Sequence, residues 1–266
     1  MLSHDAARLP CGLVLPATSA ELPLTSLAVP SASFEVGDHA VRWTGPAGPV
    51  VVRAVREWAP ARPARGAVTA GALAAVRSEL GLDESRPGGR QGRLLDRCEF
   101  AMAPAIANSH PWPEGGADPC VEAALLADLA GSAGDDDAST AVAPRFLGSG
   151  PGLTPSGDDL LAGFLVGAVA FGVATGALRR AIADLAPART TALSAALLWH
   201  AARGECVDEL AAVAAVLISP PSREPELAGR AVRRLVSVGH SSGAALARGL
   251  VTAAESALHR QAGRAA

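Results

Sequence analysis

The stretch Leu147 to Gly163 reads LGSGPGLTPSGDDLLAG, and it concentrates residue types that could do chemistry. Two adjacent carboxylates, Asp158 and Asp159, follow the hydroxyls of Thr154 and Ser156. Between and before them lie Gly148, Gly150, Gly152 and Gly157, with Pro151 and Pro155. Glycine permits positive φ and lets another group approach the backbone closely. Proline stiffens a loop that would otherwise be floppy. A stiff, glycine-rich loop that runs into a helix presents unpaired N–H groups at the helix start. The helix dipole adds partial positive charge there, which suits a phosphate or carboxylate. Gly150, Gly152, Thr154, Ser156 and Gly157 are therefore candidate substrate-binding residues.

The aspartates complicate an anion site, because two carboxylates in a first helical turn repel an incoming anion. In one reading they only cap. Ser156 is the N-cap, Asp159 sits three residues on as in a capping box, and both carboxylates favour the dipole. In the other reading Asp158 or Asp159 is catalytic and binds a magnesium ion or an amide or ammonium donor, while loop amides hold the anion. Adjacent helical residues point roughly 100° apart, so the two do different jobs.

A second small-residue cluster, Gly239-His240-Ser241-Ser242-Gly243, opens the last helix. It is either a C-cap followed by an N-cap, or a second wall of the same pocket. In the latter case His240 is a proton donor or anion ligand, and Ser241 and Ser242 bind substrate. A shared pocket requires Thr154, Ser156 or Asp158 to lie within about 10 Å of His240 or Ser242, roughly one helix-packing distance. Thr190, Thr191 and Ser194 mark a further helix start, and His200 reads as a satisfied boundary histidine.

These residues need elements to position them. Residues 1–62 carry short β-leaning runs punctuated by Gly, Pro and Asp, among them 33–36, 40–43 and 50–55. Such runs predict a small antiparallel β region. Residues 63–266 predict a helical domain carrying the Gly-rich loop at 148–159. Its helices are expected near 70–80, 93–107, 119–130, 158–178, 190–203, 208–218, 225–237 and 243–260, with a polar loop at 131–143. The expected fold class is thus α+β: a small N-terminal antiparallel β region, then a mainly α-helical domain with a buried central helix. That central helix is the uncharged stretch Leu160–Leu178. It is long enough to span a bilayer, but it is rich in Ala and Gly. A helix apolar on all sides fits the middle of a packed domain, so no membrane is expected.

Composition narrows the functional classes. The 266 residues carry a formal net charge of -3 and no basic run, so no nucleic-acid partner is expected. The four cysteines form no C-x-x-C pair, a usage that fits a reducing cytoplasm. Asp5, Arg8, Pro10 and Pro16 break any signal-peptide pattern at the N-terminus. Cys98, His110 and Cys120 match no familiar zinc spacing, so no metal ligands are assigned. The glycine-rich loop lacks the Gly-Lys-Ser/Thr of a Walker loop and the spacing of a dinucleotide fingerprint. No serine sits in a G-x-S-x-G elbow.

The run Gly150-Pro151-Gly152-Leu153-Thr154-Pro155-Ser156-Gly157-Asp158-Asp159, with Leu161 and Gly163, resembles the hallmark of the AllH-like family. The Thr191/Ser194 helix start and Gly239–Gly243 are similar to its pattern too. The resemblance implies a subunit of an oxamate carbamoyltransferase, converting oxalurate and phosphate to oxamate and carbamoyl phosphate in allantoin and purine nitrogen catabolism. It implies FdrA-like and AllG-like partner subunits and a small anionic substrate: oxalurate, phosphate or carbamoyl phosphate. No cofactor is certain, with magnesium the one candidate. Two alternatives stand beside it: a non-catalytic assembly or regulatory subunit, and a stand-alone metal-dependent amidohydrolase acting on a ureido acid.

Overall fold

The computed structural model describes residues 2–3, 13–14, 33–37, 40–45, 48–53, 59–82, 119–219 and 225–265. The expected helix at 93–107 and the Cys98/His110 pair lie outside these residues. The chain divides into two compact units, residues 1–60 and 61–266.

Within the first unit, β1 (Leu2–Ser3) pairs in parallel with β2 (Leu13–Val14). Strands β3 (Ser33–Gly37), β4 (Ala40–Gly45) and β5 (Gly48–Arg53) form an antiparallel meander in the order β3-β4-β5. Its register sets Val36 opposite Val41 and Val41 opposite Val52. The ladder ends with Gly37 opposite Ala40 and Gly45 opposite Gly48.

The second unit is helical. Among the described residues it contains α1 (Ala70–Leu80), α2 (Pro119–Gly131), α3 (Asp136–Phe146), α4 (Ser156–Phe171), α5 (Gly176–Arg189), α6 (Ala192–Ala201), α7 (Asp208–Leu217), α8 (Pro225–Val236) and α9 (Ser242–Ala265).

This corrects the expected α+β class: the described residues are mostly helical, with nine helices, and the few short N-terminal strands do not make the fold α+β. No named strand belongs to the helical unit. Its one strand-like pairing among the described residues is the isolated bridge between Ala61 and Cys206. The physical reason is that the β-leaning runs are short and pair with their sequence neighbours as a local meander. The helices meanwhile bury their apolar faces against other helices, and such a core needs no sheet.

Helix α4 forms the centre. Every residue from Gly157 to Phe171 is buried except Val169. Its main partner is α9, and small residues set the spacing. A Cβ on Gly163 would stand 2.1 Å from the Leu246 carbonyl oxygen, and one on Gly249 would stand 2.0 Å from the Leu160 carbonyl oxygen. Each helix thus lays its backbone against the other's glycine. No helix among the described residues is long and apolar enough to cross a membrane.

Two helices arise where the sequence reading expected otherwise. The polar loop of 131–143 contains most of α3. Asp135 is its N-cap, accepting from Ala138 N–H at 2.9 Å, and Asp136 and Asp137 occupy its first turn. The acidic run is a helix-start signature where a solvated loop was expected. The stretch 158–178 is two helices. Gly172 takes φ 72° and closes α4 with its N–H on the Ala168 carbonyl. Helix α5 then leads the chain back to the loop.

Candidate functional site

The loop between α3 and α4 is shaped by three left-handed glycines: Gly148 (φ 72°), Gly150 (φ 104°) and Gly152 (φ 98°). Their roles differ. A Cβ on Gly148 would lie 2.1 Å from the Arg189 carbonyl oxygen, so this glycine seats the loop on the end of α5. A Cβ on Gly157 would lie 2.2 Å from the Phe146 carbonyl oxygen, so this one seats the start of α4 on the end of α3. Gly152 is exposed and meets nothing within 4 Å. Only Gly152 therefore belongs to the open tip; a Cβ on Gly150 would stand 3.0 Å from the Ser156 nitrogen, and Gly157 is a packing residue.

The capping reading of Ser156 and Asp159 is overturned. The N-cap of α4 is Pro155, with no side-chain cap bond, and Ser156 is the first helical residue. Three backbone donors of the first turn are engaged internally. Gly157 N–H donates to the Ser149 carbonyl at 2.9 Å, and Asp158 and Asp159 N–H donate to the Pro155 carbonyl at 2.9 and 3.2 Å. Proline at the N-cap thus closes the turn with its own carbonyl, and these three amides are already engaged.

The two aspartates separate as the helical angle requires. Asp158, 2% exposed, is tied down on both oxygens. Oδ1 accepts from Gly148 N–H at 2.9 Å, and Oδ2 accepts from the Thr190 hydroxyl. Burial raises its pKa, and the hydrogen bonds from Thr190, Gly148 and Ser194 offset part of that rise. Asp158 thus ties the loop and the α4 start to the end of α5. Asp158→Ala is expected to lower stability by about 2–3 kcal/mol, as loss of charge-assisted hydrogen bonds does. Urea denaturation of the variant measures this.

Asp159 is 5% exposed, and its Oδ2 has no hydrogen-bond partner among the described residues. Burial pushes its pKa up to about 7. The Ser242 hydroxyl pulls it back, the Asp158 charge raises it further, and the Thr154 hydroxyl pulls it back again. Those hydroxyls come from the two separate loops, and Thr154 Oγ1 and Ser242 Oγ are 3.0 Å apart. The loops at 148–159 and 239–243 therefore meet, well inside the 10 Å expected of a shared site.

The cluster at 239–243 contributes unevenly. Ser242 opens α9 and reaches Thr154. Ser241 is half-buried, and its carbonyl accepts from Ala245 N–H at 3.1 Å. Gly243 is a packing residue, because its Cβ would lie 1.9 Å from the Leu235 carbonyl oxygen. His240 is exposed in the turn.

Helix α6 supplies what the sequence reading undervalued. Thr191 caps α6, accepting from Ser194 N–H at 3.1 Å, and also donates to the Leu153 carbonyl at 2.6 Å. With Thr190 on Asp158, this short segment holds both sides of the loop. Two consecutive threonines at a helix start were its only sequence signal. His200 binds Glu205 at 2.6 Å.

This donor set does not fit a resident magnesium ion. Mg²⁺ demands near-octahedral oxygen ligation, whereas both Asp158 oxygens already face hydrogen donors. No group of three His, Cys, Asp or Glu side chains that could hold a metal occurs among the described residues.

Both loops and the α6 start lie within one continuous stretch of the chain. Residues 146–254 match the family model of oxamate carbamoyltransferase subunit AllH. The match begins at Phe146, the last residue of α3, and ends within α9, so it takes in Asp158, Asp159, Thr190 and Ser242 together. No solved structure matches the chain. The AllH match thus covers the loop-bearing core of the helical unit.

Proposed function

We propose that this chain is a substrate-binding subunit of an oxamate carbamoyltransferase-type enzyme. The assembly would convert oxalurate and phosphate to oxamate and carbamoyl phosphate, with FdrA-like and AllG-like subunits as partners, in cytoplasmic breakdown of allantoin nitrogen. One observation carries the reading. The segment matching the AllH family contains both loops, and they meet over a buried carboxylate with a free acceptor. In that reaction a phosphate oxygen bonds to the carbamoyl carbon, the bond from that carbon to the inner nitrogen breaks, and a proton goes to the leaving nitrogen. A site for it needs groups that hold a planar N–H-bearing carbonyl compound in register. Asp159, Thr154 and Ser242 are such groups, with Gly152 leaving the tip open. Ser156, Ser241 and His240 flank them from the same two loops, and Asp158 positions the loop.

The test is co-expression with the candidate partner subunits, followed by phosphorolysis of oxalurate with and without this chain. Carbamoyl phosphate should form only in the complete assembly. Full activity without the chain would overturn the reading.

A second reading, a non-catalytic assembly subunit, is favoured by Leu153. It is 68% exposed at the loop tip, where an apolar side chain suits a protein contact. An assembly that needs the chain but tolerates loss of the Asp159 carboxylate would support that reading.

A further inference from the structure

The far end of α4 borders a cavity that no residue of the two loops lines. Phe171 stands about 18 Å along the helix from Asp159, at roughly 1.5 Å per residue. The cavity holds about 300 Å³, the lower end for a ligand pocket. Phe171, Val173 and Ala257 give it an apolar wall, and Arg65, Arg260 and Gln261 give it a polar one. No acidic side chain lines it, and every lining residue belongs to the helical unit. A plain role for two arginines here is to cap the last carbonyls of α4. Backbone donors already take two of those: Gly172 and Val173 N–H donate to Ala168, and Gly66 N–H donates to Ala170 at 3.1 Å. Neither guanidinium bonds to α4 among the described residues. Arg260 is half-buried and held in place. Its Nη2 donates to the Ala133 carbonyl, and a Cβ on Gly134 would stand 2.8 Å from the same atom. That bond leaves most of its N–H donors unused. Arg65 is exposed, and no hydrogen bond or ion pair holds it among the described residues.

We propose that this cavity is a second binding site, for a small organic anion. An oxyanion head lies between Arg65 and Arg260, and an apolar body lies against Phe171, Val173 and Ala257. Guanidinium forks match the oxygens of a carboxylate or a phosphate. A cation would meet two like charges at once. An inorganic anion would leave the apolar wall uncovered, and a neutral apolar molecule would leave both arginines without a counter-charge. Gln261 adds an amide that donates to the head or accepts from a hydroxyl on the body. The inference does not rest on the carbamoyltransferase reading, because the cavity and the two loops share no residue.

Four probes test it by ligand-observed NMR titration of the full chain. Benzoate carries both head and body. Benzyl alcohol keeps the body without the charge, inorganic phosphate keeps the charge without the body, and phenyl phosphate offers the other head. Benzoate or phenyl phosphate should bind at least about 10-fold more tightly than benzyl alcohol and inorganic phosphate, a ratio equivalent to ~1.4 kcal/mol. The tighter of the two aromatic anions identifies the head group. Arg65→Ala should weaken that anion about 10-fold, the low end for losing a hydrogen bond to a charged group. Arg65 is exposed, so circular dichroism should show the variant folded, whereas Arg260→Ala would also strip the Ala133 carbonyl of its donor. Ala67→Trp, at the exposed rim of the cavity, should weaken the same anion by filling the entrance. Asp159→Asn should leave its affinity unchanged. The proposal is overturned if benzyl alcohol or inorganic phosphate binds as tightly as the aromatic anions, or if neither aromatic anion binds. It is equally overturned if Arg65→Ala keeps wild-type affinity, or if Asp159→Asn abolishes binding and so places the probe in the loops.

Discussion

Asp159→Asn should lower the activity of the assembled enzyme by two to three orders of magnitude while raising the stability of the fold. The first effect follows from removing a preorganised carboxylate from a low-dielectric site, a loss typically of about 10²–10³. The second follows from the position of Asp159 in the free chain. Its carboxyl ionises at 3.8 in an ordinary setting and at about 7 here, chiefly because of burial. An acid whose pKa is raised on folding favours the folded state at low pH and loses that advantage as pH rises. Below about pH 4 it is protonated in both states and costs nothing. Between about 4 and 7 the unfolded chain ionises first, and the cost of keeping the fold grows. Above about 7 the cost levels off, with about three pH units at ~1.4 kcal/mol each setting an upper bound near 4 kcal/mol. Asparagine does not titrate, so the variant should melt above the wild type at pH 8, and the gap should close towards pH 4. Melting curves across that range check the sign. A variant that melts lower at pH 8 and keeps its activity would make Asp159 a structural residue.

Gly249→Ala should cost the fold about 3 kcal/mol or more, the upper range for forcing atoms into a packed interior. The added Cβ would stand 2.0 Å from the Leu160 carbonyl oxygen and 2.8 Å from the Phe164 nitrogen. Both are backbone atoms of α4, so no side-chain rotation relieves the clash. The reciprocal change Gly163→Ala meets the Leu246 carbonyl at 2.1 Å and should behave alike. For a unit of this size the expected drop in melting temperature is roughly 6–12 °C. Gly263→Ala is the control within the same helix. It is exposed and meets nothing within 4 Å, so it should be neutral or stabilising by up to ~1 kcal/mol. Equal melting temperatures for Gly249→Ala and wild type would mean that α4 and α9 are not in backbone contact. Because Asp159 sits on α4 and Ser242 opens α9, the same helix contact that these glycines permit also brings the site together.

Local order in the sequence determined a good deal. Ala70–Leu80, Asp208–Leu217 and the start of α2 lie where apolar spacing and flanking proline or glycine put them. Such signals are local, so they survive without knowledge of neighbours. The motif Gly150–Asp159 was legible as a candidate site before any geometry was known, and the AllH family match includes it. Helix α3 was legible too, since Asp135 with Asp136 and Asp137 is an N-terminal cap signature; polarity over 131–143 hid it.

What the tertiary structure alone decided is division of labour. Asp158 and Asp159 are identical in type and adjacent in sequence, yet one is satisfied by Gly148 and Thr190 and the other is left open. That difference comes from residues up to 32 positions away, in the case of Thr190, and up to 88 for the Thr154–Ser242 pair that flanks the open carboxylate. Gly148, Gly157 and Gly243 likewise looked like ligand-loop glycines, whereas backbone carbonyls of α3, α5 and α8 occupy the space a side chain would need. The fold class turned on the same point. A β-leaning run carries its strand preference in its own residues, but a few short strands do not set the class of a chain whose described residues are mostly helical. Periodicity reports what a segment can bury, and only packing decides against what it is buried.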